Sequence, residues 1–176
     1  MNYRNTCIVF LLFAFHCSIA QYALEPGYLL VSESDTLKGY IDYKNWPYNP
    51  ETVSFKASPE AEAKTFGLGD LHGFFVHGEN YKRGEVEIDP GSSKIEDLSY
   101  SPLPKLEKTV VFLLVINGGA KSLYYLKSRD NRVHLYVSDK PGDYQLLLNH
   151  RYLSSGTSQI VTVPHYREQL KNFFSE

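Results

Sequence analysis

Four apolar or alternating runs between Thr109 and Tyr152 are separated by three short turn signals, a spacing that predicts a β-meander. Val110 to Ile116 turns at Gly118-Gly119, Ser122 to Lys127 at Asp130-Asn131, and Val133 to Ser138 at Pro141-Gly142, before Tyr144 to Asn149 closes the series. Paired glycines and Asp-Asn tolerate the positive φ of tight hairpins. Lys140-Pro141-Gly142-Asp143 suits a type II turn, with proline at its second position and glycine at its third.

Upstream, Gly27 to Ser32 and Thr36 to Lys44 predict a hairpin around Glu33-Ser34-Asp35. Leu37, Gly39, Ile41 and Tyr43 share one face of its second arm and Lys38, Tyr40, Asp42 and Lys44 the other. Trp46-Pro47 and Asn49-Pro50 stop that strand, and Val53 and Phe55 begin a third. Ser58-Pro59-Glu60 has the form of a helix start, with Ala61 to Lys64 completing a short helix before Gly67 and Gly69. Phe74 to His77 and Tyr81 to Ile88 predict another hairpin across Gly78-Glu79-Asn80. A long connection from Asp89 to Lys108 is expected to hold one short strand near Leu98 to Tyr100. Arg151 to Leu153 and Ile160 to Val163 flank Ser154-Ser155-Gly156-Thr157. Pro164 then opens a terminal helix whose docking face is Tyr166, Leu170, Phe173 and Phe174. The predicted class is mainly β: an antiparallel sandwich or partly open barrel of about eight to ten strands, with a C-terminal amphipathic helix.

The first twenty residues stand outside that pattern. Arg4 precedes the apolar run Ile8 to Phe15, and Ser18-Ile19-Ala20 places small residues at −3 and −1, so residues 1–20 read as a secretory signal peptide. A lipoprotein reading through Cys17 meets His16 where a small side chain is normally required. Both cysteines, Cys7 and Cys17, fall in the leader, so residues 21–176 form one exported domain without a disulfide, thiolate nucleophile or cysteine metal site. A formal net charge of −2 gives no electrostatic reason to expect nucleic acid as a partner. After residue 20 no apolar run is long enough for a spanning helix.

Gly27-Tyr28-Leu29, Asp35 to Trp46, Asn49-Pro50 and Val53-Ser54-Phe55 together resemble the opening of a family of Bacteroidota-type envelope proteins. Asp70-Leu71 before Phe74, Glu79 before Tyr81, Leu123-Tyr124-Tyr125, Arg151-Tyr152-Leu153, and Tyr166 with Gln169-Leu170 continue the resemblance along nearly the whole exported segment. Members often carry an outer-membrane β-barrel after this domain, whereas the present sequence ends at Glu176 after the terminal helix. The resemblance therefore implies fold and a periplasmic or outer-membrane-associated location. It supplies no catalytic residues.

Gly69-Asp70-Leu71-His72-Gly73 looks like the metal-binding opening of metallophosphoesterases, in which Asp70 and His72 would reach one dinuclear centre. That chemistry also needs a bridging carboxylate, an asparagine and further histidines, and no second Gly-Asp-x-x-Asp-Arg segment occurs. The competing reading is a loop aspartate capping local amides. His72, His77 and Glu79 suit zinc by residue type, but five-residue spacing puts the two histidines on opposite faces of a strand. His134, in an alternating strand, reads as a surface residue. Glu85 and Glu87 share one face about 7 Å apart, as a glycosidase pair or as a solubilising edge. Ser154-Ser155-Gly156 lacks a nucleophile-elbow context.

The chain has 14 tyrosines, and Tyr40, Tyr43, Trp46 and Tyr48 cluster at the end of the second strand. Amphipathic rings there suit stacking on sugars or anchoring a protein, although strand cores use tyrosine as well. The expected function is non-catalytic: an exported envelope domain that binds or scaffolds an envelope protein or glycan, with no cofactor. The alternative is a metal-dependent hydrolase centred on Asp70 and His72.

Overall fold

The computed structural model describes residues 24–91 and 95–175. The leader, Cys7, Cys17 and the predicted cleavage point lie outside the described residues. Among the described residues, twelve strands, one short 3-10 turn at Ile95–Asp97 and one α-helix make up the fold. Ten strands form a single antiparallel sheet curved into a half-barrel. They are β1 Leu24–Leu30, β2 Thr36–Asp42, β3 Thr52–Lys56, β4 Lys64–Gly67, β5 Gly73–Val76, β6 Glu79–Ile88, β7 Glu107–Asn117, β8 Ser122–Lys127, β9 Val133–Ser138 and β10 Gln145–Leu146. Their spatial order is β10-β9-β8-β7-β6-β5-β1-β2-β3-β4. A separate ribbon pairs β11 His150–Leu153 with β12 Ile160–Val163, and helix α1, Tyr166–Ser175, follows. No helix among the described residues is long and apolar enough to cross a membrane.

The meander forms as its turn residues predict. Asn131 takes φ +66° between Ser128 and Arg132, and Gly142 takes φ +84° with the Asp143 amide donating to Lys140 O at 3.2 Å, the type II turn expected there. The hairpin between β5 and β6 is tighter than its sequence suggests. Val76 pairs with Glu79, so the loop is only His77-Gly78, both at positive φ (52° and 82°) as a type I′ turn requires. Glu79 and Asn80 already belong to the strand.

The short helix expected from Ser58 to Lys64 is replaced by one turn, Ala61 N to Ser58 O, and then by strand β4. Pairing Phe66 with Val53 sets its ring edge-on to Phe55 at 6.1 Å, and burying that ring outweighs a weak helix start. Leu98 to Tyr100 does not form the expected strand. Leu98 is nevertheless buried, and Ser99 O accepts the Leu153 amide.

Register explains how one sheet encloses two cores. Leu29, Phe74, Tyr81 and Leu114 are successive cross-strand partners and therefore share a face, on which Ile41, Val53, Phe55 and Phe112 are also buried. The opposite face buries Val86, Leu113, Tyr124, Leu126, Tyr136 and Leu146. Strands β6 and β7 serve both cores, so the adjacent residues Phe112 and Leu113 are 1% and 0% exposed on opposite sides. In the second core the sheet curls until β10 returns toward β6. The Tyr144 ring covers Gly84, where a Cβ would lie 2.6 Å from the ring, and the Tyr136 hydroxyl donates to Glu87 O at 3.0 Å.

Helix α1 closes the short β10 edge through a side chain that an apolar pattern does not reveal. Gln169 Nε2 donates to Leu146 O at 2.8 Å and its Oε1 accepts the Leu148 amide at 2.9 Å, extending the ladder by one amide. Tyr166, Leu170 and Phe173 are half-buried, but Phe174, expected on the docked face, is 64% exposed. Lys121 donates to Phe173 O and lies over the Phe173 and Phe174 rings, a cation placed at the helix C-terminus.

Candidate functional site

The four aromatic residues picked out by sequence do not form one surface. Tyr43 is buried, stacked on His77 at 4.8 Å and edge-on to Trp46 at 5.0 Å. Trp46 packs edge-on against Phe74 and Tyr81, filling the first core. Burial, with the charges of Glu79 and Glu25 adding to it, raises the Tyr43 hydroxyl pKa. Tyr40 and Tyr48 are half-buried and have no ring contact with that pair among the described residues. Tyr48 instead lies under the Arg129 guanidinium, 5.0 Å from its ring, with Arg129 paired to Glu51 at 3.0 Å.

Asp70 accepts the Gly67 amide at 2.8 Å while its own amide donates to Gly67 O at 3.0 Å, so its carboxylate caps the turn before β5. The backbone of His72 continues the ladder, from its amide to Leu30 O and from the Arg83 amide to its carbonyl, and its side chain is exposed. Among the described residues no group of three or more His, Cys, Asp and Glu is arranged to hold a metal.

Ionisable groups converge instead where β6 ends, β9 begins and β11 starts. Asn49, in the loop after β2, plugs the neighbouring gap where β7 and β8 part. Its Nδ2 donates to Phe112 O (2.8 Å) and Tyr125 O (3.0 Å), its Oδ1 accepts the Lys127 amide (2.9 Å), and its amide donates to Lys127 O (3.0 Å). Arg132 Nη1 donates to Asp89 O at 2.7 Å and Gly91 O at 2.9 Å, and its Nε donates to Asp130 at 2.6 Å. His150, 4% exposed, directs Nδ1 to the Asp89 carboxylate at 3.2 Å and Nε2 to Ser101 O at 3.1 Å. Both ring nitrogens thus face partners within the protein, and neither is turned toward an open site.

His134 corrects its sequence reading. It is 7% exposed, because its neighbour across the ladder is Leu126 and both side chains point into the curl. Burial lowers its pKa, with the Arg132 charge adding to that and contact with the Asp89 carbonyl at 3.4 Å opposing it. With Nε2 facing that carbonyl, Nδ1 is left buried without a partner among the described residues.

The other end of the curl is open. A concavity of about 510 Å³ lies where β6 starts and β7 ends, floored by Leu30, Val115, Tyr124 and Tyr144. Tyr124 and Tyr144 meet edge-on at 5.0 Å. His72, Lys82 and Lys140 line this mouth, and none has a side-chain partner among the described residues; Arg83 borders it too, but pairs with Phe112 and so belongs to the first-core face. Glu33 and Asp139 also line it. Sequence reading gave His72 a metal role and left Lys82 and Lys140 unremarked. They are separated along the chain, and only the register of β6 and the Lys140-Pro141-Gly142 turn brings them to one rim.

Compared with protein-family models, curated proteins and solved structures, the chain matches none of them.

Proposed function

We propose that this chain is a non-catalytic domain exported to the cell envelope, periplasmic or associated with the outer membrane, that acts by binding or scaffolding. One observation carries the binding part. The curl satisfies its buried charges on its own main chain at one end, and at the other presents an apolar concavity ringed by unpaired side chains. A cluster organised for reaction leaves a nucleophile, base or metal ligand free toward substrate, whereas His150 and Arg132 are tied to carbonyls and carboxylates. The Arg4 and Ile8 to Ala20 leader pattern supports export, as does the resemblance to envelope proteins. Envelope proteins or glycans are the partners that this location offers.

Export is tested by expressing the whole chain in a Gram-negative host and sequencing the N-terminus of the protein in each fraction. The expected result is an envelope-fraction protein beginning at Gln21. Cytoplasmic retention with residues 1–20 intact overturns the location. In-cell crosslinking followed by mass spectrometry then identifies what the exported form touches.

A further inference from the structure

We infer that the open mouth of the curl binds a small amphipathic anion, its apolar body against Tyr124 and Tyr144 and its acidic group between Lys82 and Lys140. This rests on the reading of the chain as a binding domain and specifies the ligand's chemistry.

Three features support it. The mouth is a concavity of about 510 Å³, within the range of small-molecule sites, and barrel mouths are common places for them. Its floor is a preorganised aromatic surface. Tyr144 is held over Gly84, where any larger residue would collide with the ring, and meets Tyr124 at right angles. Burial, together with Tyr124, raises the Tyr144 hydroxyl pKa, so the floor stays uncharged at neutral pH. Finally, the chain as a whole carries a net charge of −2, yet Lys82, which shares the face of Leu113, and Lys140 meet here with no side-chain partner among the described residues. Cations left unpaired beside an apolar floor complement a ligand with one acidic group and a hydrophobic body.

Glu33 and Asp139 on the same lining oppose that attraction and give it a second, independent sign. Removing the cations must weaken binding, and removing the carboxylates must strengthen it. A merely hydrophobic cleft responds to neither.

The test uses two probes with the same aromatic body: anilinonaphthalene sulfonate and its uncharged counterpart N-phenylnaphthylamine. Fluorescence titration of the full-length exported protein at low salt is expected to give saturable binding of the sulfonate, about tenfold tighter than the neutral probe and weakened by added salt. The double variant K82A/K140A should lose about fivefold in affinity, and E33Q/D139N should gain about threefold. All four side chains are exposed, so circular dichroism should show an unchanged fold. Laurate should displace the sulfonate, whereas inorganic phosphate at equal concentration should not. Equal affinity for the two probes, unchanged affinity in both double variants, or displacement by phosphate alone each overturns the proposal. Such a failure is separable from failure of the envelope reading, which is judged by leader cleavage and crosslinked partners and uses neither probe.

Discussion

Asn49, Asp89, Arg132, Tyr136 and His150 gather at one end of the β6–β10 curl, and all of them direct side-chain polar atoms at main-chain carbonyls or amides, or at one another. At the opposite end Lys82, Lys140 and His72 surround a comparable opening and bond to none of the described side chains. The closed end is richer in the residue types associated with catalysis, but apart from His134 Nδ1 its buried side-chain polar atoms are satisfied internally. What separates a fastening from a binding surface is therefore the availability of polar atoms, not their number. If so, substitutions at the closed end should lower stability and leave ligand affinity in place, and those at the open end should do the reverse.

The largest effect is expected at Asn49. Truncating it to alanine removes three side-chain hydrogen bonds from the gap between β7 and β8, leaving Phe112 O, Tyr125 O and the Lys127 amide without that partner. At about 1 to 3 kcal/mol for each group left unsatisfied, partly relieved by water, a cost of about 4 kcal/mol should appear in urea unfolding. Asn49→Asp should do no better, since it aims a carboxylate at two carbonyl oxygens. A loss below about 1 kcal/mol would show that the plug is incidental.

Asp89→Asn comes next. It keeps the main-chain carbonyl that receives Arg132 but removes the charge facing His150. The pair is well buried, with side-chain exposures of 5% for His150 and 19% for Asp89, so replacing the carboxylate acceptor by a neutral amide should cost about 2 kcal/mol. Affinity of the open mouth for anilinonaphthalene sulfonate should stay unchanged in native buffer. A parallel loss of binding and stability would mean that the two ends are not distinct.

His134 gives a smaller effect whose sign is fixed by its depressed pKa. Above the unfolded value, near 6.5, the ring is neutral in both states. As pH falls below that, the unfolded chain takes up a proton that the buried ring resists, so stability present at neutral pH declines toward the folded pKa. One group contributes at most about 1.4 kcal/mol per pH unit. Wild type should therefore lose more stability between pH 7 and pH 5.5 than His134→Gln does, and parallel profiles would reject the assignment.

Much of the fold is legible in the chain because it rests on local chemistry. Pro141-Gly142, Asp130-Asn131 and the alternation of Ile41 and Tyr43 state a turn or a face within a few residues. The two-core arrangement is present but disguised: Val110 to Ile116 reads as one apolar run, as a strand buried on both sides should, without saying that each side meets a different core. The closed end was missed because its pairings span the sequence. Asp89 and His150 are 61 residues apart, and Asn49 reaches Tyr125 across 76. Trp46 looked like a surface anchor for a related reason. It follows a strand and precedes proline, and only the return of β5 and β6 gives its ring a core to enter. Asp70, by contrast, was decided locally, since the Gly67 amide three residues back is within reach of any aspartate in that turn.

The smallest stability change is expected at the open end, and its smallness makes it informative. Lys82 and Lys140 are exposed and, among the described residues, contact no carboxylate within ion-pair distance. Replacing both by alanine should therefore move the unfolding free energy by no more than about 0.5 kcal/mol. Relief of repulsion between the two neighbouring lysines should make any change slightly favourable at low salt, and added salt should erase that gain. A protein that keeps its stability while losing an anion was carrying those charges for something other than folding. If K82A/K140A instead destabilised the fold by several kcal/mol, the lysines would be fasteners like Arg132, and the contrast between the two ends would disappear.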